Sequence, residues 1–136
     1  MMDLALQPLR KYADFNGRAR RKEYWLFVVA LAVAFCLLFM ARAIVEAVAG
    51  PVAAGGVAIL IGIAFLGVLI PSLAVRVRRL HDINLSGFWI LIGLVPILGP
   101  VALVVLSLIA GTSGGNRFGS DPKLLGGAPG EAALIF

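Results

Sequence analysis

His81 and Asp82 are the residues best suited to acid–base chemistry in this chain. An imidazole beside a carboxylate and just past Arg78-Arg79 can exchange a proton near neutral pH. No nucleophile or metal set accompanies the pair, which weighs against a catalytic role. His81 is the only histidine, and Cys36, the only cysteine, lies inside an apolar run. A zinc site takes three or four N, S or O ligands, so no ordinary metal set and no disulfide framework is expected. No cofactor motif is present either. The plainer role for Asp82 is to cap a following helix or to pair with Arg78 or Arg79.

The second chemistry is anion binding. Arg18, Arg20 and Arg21 precede the first apolar stretch, and Arg78 and Arg79 follow the second. On one face, these five could hold a lipid phosphate or another anionic headgroup; the same charges could equally serve orientation alone. Glu23 opens an apolar stretch, where an acid is costly unless paired. It is expected to pair with an arginine of the second loop, Arg79 being the first choice. Asn116, Arg117 and Asp121 complete the polar set with Glu23, His81 and Asp82. The run 111–119 is glycine-rich but lacks the Gly-Lys-Ser/Thr ending of a phosphate loop, so Asn116-Arg117-Phe118-Gly119 is expected to form a turn packed on the bundle end.

The elements that must position these residues are apolar. Tyr24–Ala41, Pro51–Val75 and Ile83–Asn116 carry no charge. The chain is 61% hydrophobic and 14% charged, whereas a soluble domain is about a quarter charged. About 20 apolar helical residues match a ~30 Å hydrocarbon core. The sequence therefore predicts an all-α membrane protein with three transmembrane helices. Pro96, Gly99 and Pro100 make the third kinked or re-entrant. The kinked crossing is preferred, because a re-entrant turn must find cover for its backbone polar groups. Leu6, Leu9 and Ala13 share a helix face, predicting an interfacial amphipathic N-terminal helix ended by Asn16-Gly17. Ala54, Ala58 and Gly62 form a small-residue ladder that could let helices approach. Residues 1–122 form a single membrane domain, and 123–136 is expected to be a mobile tail.

Lys and Arg number 12 against 7 acids, a net charge of +5. With no soluble fold to carry it, this surplus argues orientation and not nucleic-acid binding. Basic residues before the first stretch and between the second and third put the N-terminus in the cytoplasm and 42–50 outside as a loop. Tyr24-Trp25 and Phe88-Trp89 sit where an inner-boundary aromatic belt would. The first stretch exceeds the ~7–15 residues of a signal h-region, so it is expected to be retained.

Three motifs in order, Gly17-Arg18 through Tyr24-Trp25, Arg78-Arg79-Leu80-His81-Asp82 and Asn116-Arg117-Phe118-Gly119 with Asp121-Pro122, resemble the YhaH-like family of small bacterial inner-membrane proteins. The resemblance runs from about Leu6 to Lys123. It implies a polytopic inner-membrane protein and supplies no catalytic residue. Two departures stand out: a longer tail after Lys123 and a more apolar Ile83-Asn84-Leu85. The leading expectation is a non-enzymatic protein whose basic face contacts anionic lipid or a membrane partner, with a homo-oligomer or a larger partner widening a thin bundle. A transporter or channel subunit, and a membrane enzyme using His81 and Asp82, are the alternatives.

Overall fold

The computed structural model describes residues 2–124. Among them, every regular element is helical: α1 (Met2–Arg10), α2 (Arg21–Asp82), a 3-10 helix (Gly87–Leu94) and α3 (Leu98–Leu108). The tail expected from Lys123 onward lies, from residue 125, outside the described residues.

The 62 residues of α2 do not form one rod. Gly50 adopts φ 82°, ψ 176°, a region open almost only to glycine. The following Pro51 costs no hydrogen bond at the start of a new helical arm. The chain reverses there, leaving two antiparallel arms of about 30 residues, each ~45 Å long at 1.5 Å per residue. Phe35 and Phe65 meet edge-to-face at 6.1 Å across the hairpin, and the Ala19 amide donates to the Arg78 carbonyl at 3.0 Å where its open end begins. Ala54, wholly buried, lets the arms close near the turn. Ala58 and Gly62 instead stay open to a groove between the arms.

The expected 42–50 loop is a correction: helix continues to Gly50. Arg42 and Glu46 sit one turn apart on it at 3.2 Å, an exposed pair worth no more than about 0.5 kcal/mol. The hairpin's outer surface is apolar, with Leu37, Ile44, Val48, Ile59 and Leu66 exposed. Water would not tolerate so continuous a patch.

Pro71 lies inside the second arm and cannot donate to the carbonyl four residues back. That carbonyl, on Gly67, accepts the Tyr12 hydroxyl at 2.6 Å. α1 and the turn after it pack against α2, with Pro8 fully buried. The N-terminal helix expected to run to Asn16-Gly17 stops earlier, at Arg10.

The third apolar stretch, expected as a kinked crossing, is not one kinked helix but two short ones. The 3-10 helix ends at Leu94, and a tight turn follows. Ile97 takes φ 65°, ψ −59°, and the Leu98 amide donates to the Pro96 carbonyl at 2.7 Å, the geometry of a γ-turn. α3 then runs back along the 3-10 helix, and a Cβ on Gly99 would overlap the Ile92 carbonyl. Eight residues at ~2.0 Å and eleven at ~1.5 Å give arms of about 16 Å each, half a hydrocarbon core. Neither has the length of a transmembrane helix. The two arms touch most closely where Gly99, buried, meets the Ile92 carbonyl.

Candidate functional site: a buried arginine–carboxylate cluster

The fold-back returns the chain after α3 to the open end of the α2 hairpin, where the polar motifs meet. Asp82 is its centre, only 3% exposed. Arg18 Nε donates to Asp82 Oδ1 at 3.0 Å, and Arg79 Nη1 pairs with Asp82 Oδ2. Two guanidinium groups thus grip one carboxylate. Removing the carboxylate leaves both guanidinium groups buried without their counter-ion, which costs about 3–5 kcal/mol.

The remaining donors go to backbone carbonyls. Arg79 Nε donates to the Ser107 carbonyl at 3.1 Å, and its Nη2 reaches that of Ile109. Arg21 Nη1 donates to the Leu108 carbonyl at 3.2 Å. A helix leaves its last four carbonyls without partners and carries about half a negative charge there. Arginines from α2 therefore cap α3 in both senses. Arg18 also reaches the carbonyls of Thr112 and Gly114, and Arg20 Nε donates to that of Pro122 at 2.7 Å. The Thr112 amide donates to the Asp82 carbonyl at 2.8 Å. A Cβ on Gly111 would overlap the Asp82 carboxylate, so the chain can pass this close only as glycine.

Glu23 pairs with a second-loop arginine as expected, but with Arg78 and not Arg79. Oε1 accepts Arg78 Nη1 at 2.9 Å, and both side chains are buried. Arg78 Nε and Nη2 are buried without an acceptor among the described residues, as is Trp25 Nε1, so this pair is less completely satisfied there than the Asp82 one.

His81 faces the last motif. Its Nδ1 lies 3.1 Å from the Gly17 carbonyl; a carbonyl only accepts, so Nδ1 carries the proton. The ring stacks on Phe118 at 4.0 Å and 3°, and Arg117 covers the same phenyl ring at 4.7 Å. Asn116 Nδ2 donates to the His81 carbonyl at 2.9 Å and to Thr112 Oγ1 at 2.8 Å. The Asn116–Gly119 turn closes with two backbone hydrogen bonds, and Asn116 Oδ1 accepts the Phe118 amide at 2.9 Å, as asparagine does in turns. Asp121 accepts the amides of Gly114 at 3.0 Å and Lys123 at 2.9 Å. Burial would raise its carboxyl, but these two amides and the nearby Arg18 and Lys123 charges hold it below the usual carboxylate range.

All the polar residues picked from sequence thus gather at one end. The five arginines do not form one open anion-binding face, however. Arg18, Arg78 and Arg79 are buried, with Arg78 and Arg79 each 1% exposed, and Arg20 and Arg21 are half-buried. Sequence reasoning missed Gly111, Thr112 and Ser107. Only Gly111 left a trace, as the first glycine of the loop.

The chain is similar to other proteins over most of its length. Residues 12–120 match the model of a family described as protein of unknown function (DUF805). The chain belongs to the DUF805 family. It is 42% identical over 123 residues to the inner membrane protein YhaH of Escherichia coli K12, covering 90% of this chain and 98% of that one. It is 38% identical over 122 residues to the inner membrane protein YhaI of the same strain, covering 90% and 97%. No solved structure matches. The DUF805 match begins at Tyr12, the residue that satisfies Gly67, and ends at Ser120, beside Asp121. It therefore takes in nearly every member of the cluster.

Proposed function

We propose that the chain is a non-enzymatic integral protein of the bacterial inner membrane, as its relatives are named. The α2 hairpin crosses the bilayer twice. The hairpin of Gly87–Leu94 and α3 enters and leaves from the cytoplasmic side. Both the N-terminus and the segment 111–124 are cytoplasmic, and the basic end contacts anionic lipid or a membrane partner.

One observation carries this reading. The Asp82 cluster joins residues from 18 to 122 at one end of the molecule, and every Lys and Arg except Arg42 lies at or near that end in sequence. Lys/Arg excess marks the cytoplasmic side. Arg42 is neutralised by Glu46 at the other end. Two half-length arms match a re-entrant element, tolerated in lipid where its backbone is covered by protein. In this reading His81 and Asp82 are structural: one is stacked and bonded through Nδ1, the other is held by two arginines. The exposed cations that remain for an anionic surface include Arg76 and Arg117.

The test is a pair of reporters fused after Lys123. Green fluorescent protein should fluoresce there, and alkaline phosphatase should be inactive. The opposite result, an active phosphatase, would reverse the threading and refute this reading.

A further inference from the structure

The two arms of α2 enclose a groove of about 700 Å³, lined by Phe27, Phe35, Phe65, Ala58 and Gly62 among others. It has the volume of a ligand pocket. Its lining is apolar except at one end, where Ser72 and Arg76 lie. The Ser72 hydroxyl is already engaged, donating to the Val68 carbonyl at 2.6 Å. Arg76 is exposed and has no acidic partner among the described residues. Its neighbours Arg78 and Arg79 are buried and paired, so it is the one arginine of that run offered to the groove's mouth.

We propose that this groove is a binding site for an anionic glycerophospholipid, one acyl chain lying between the arms and the headgroup phosphate on Arg76. The inference deepens the proposed function and rests on its reading of α2 as a spanning hairpin with Arg76 at the inner surface.

Shape argues for a lipid chain. The lining from Ala58 to Val75 extends ~26 Å along the second arm at 1.5 Å per residue. Dividing the volume by that length leaves a mean cross-section of roughly 27 Å². The groove is therefore long and narrow, the shape of an extended hydrocarbon chain. Small residues create it: Gly62 has nothing within 4 Å of where a Cβ would stand. Charge argues for the headgroup. The cation sits only at the end nearest the polar cluster, where an acyl chain in the groove would bring its phosphate. The far end of the hairpin carries only the Arg42–Glu46 pair, already neutralised.

The experiment is native mass spectrometry of the full chain in detergent. It is titrated with phosphatidylglycerol or phosphatidylcholine of identical acyl chains. The wild type should keep one phosphatidylglycerol, preferred about fivefold over phosphatidylcholine, the effect of one basic residue near the surface. Arg76→Gln should remove that preference while leaving weak binding of both lipids. Gly62→Phe, which points into open space, should abolish the stoichiometric adduct with both. Ala58→Leu narrows the same groove from a second position and should weaken both. Arg117→Gln, at the basic end but outside the groove, should change neither. An adduct unaffected by Gly62→Phe and Ala58→Leu, or a full preference in Arg76→Gln, overturns the proposal. So does a wild-type dimer, without bound lipid, that Gly62→Phe dissociates, because a second copy would then fill the groove. The reporters after Lys123 are read separately. A cytoplasmic C-terminus with lipid binding indifferent to these substitutions sinks the groove alone, whereas an extracytoplasmic one sinks the threading beneath it.

Discussion

Asp82 carries more of this molecule than its size suggests. Its carboxylate faces Arg18 and Arg79, its carbonyl accepts the Thr112 amide, and Gly111 passes against it. Asp82→Asn keeps the shape and removes the charge, leaving two guanidinium groups buried without their counter-ion. The expected loss is about 3–5 kcal/mol, read as a lower unfolding temperature in detergent. An unchanged temperature would remove Asp82 from the centre. Asp121 gives the site its acid limit. Its folded pKa lies below the ordinary aspartate value, so its stabilisation is complete above the ordinary value and is lost as pH falls through the lower, folded one. Protection of the 112–122 amides against exchange, taken relative to the intrinsic rate at each pH, should hold at neutral pH and fall below about pH 4, the ordinary carboxylate range. Asp121→Asn should flatten that dependence while giving faster exchange at neutral pH. The sequence alone marked Glu23 as an acid needing an arginine, because burial without a partner is too costly, and offered Asp82 either a helix cap or a pairing with Arg78 or Arg79. Which arginine each takes was not legible. Arg78 and Arg79 are adjacent, and helix rotation of about 100° per residue sends them to different neighbours.

At the scale of elements, turns decide the architecture. Gly50 has open space around its Cβ position, so Gly50→Ala costs only conformational strain. That strain is about 1–3 kcal/mol in this backbone region. Thermal unfolding in detergent should register it, and a neutral result would mean that the arms reverse by another geometry. Helical arms on both sides were legible from two uncharged runs of bilayer length. Their continuation through 42–49 was not, because Arg42 and Glu46 read as a polar loop until their four-residue spacing is seen as a helical pair. The break after Leu94 was legible from Pro96, Gly99 and Pro100. Its consequence was not: prolines say that a helix ends and do not say which way the chain then goes. The γ-turn at Ile97 and the close approach of Gly99 to Ile92 settle the direction of α3.

For the whole molecule, the distribution of polarity is inverted. Charges are buried at one end, and large apolar side chains are exposed along the hairpin. Such a surface is stable against hydrocarbon and not against water. Membranes washed with alkaline carbonate should retain the protein in the pellet, and its release into the supernatant would contradict a spanning hairpin. The inversion also explains why the polar motifs lie far apart in the chain yet together in space. Buried polar groups have no water to bond, so polar side chains and helix-end carbonyls must satisfy one another.

Hydropathy and charge, summed along the chain, suffice to say that long apolar helices form and which end is basic, since both are additive properties of local sequence. Partner choice in the cluster, the reversal of α3 and the groove beside Gly62 depend on what distant residues place opposite one another. Those oppositions exist only once the hairpins have closed, and so tertiary structure alone decided them.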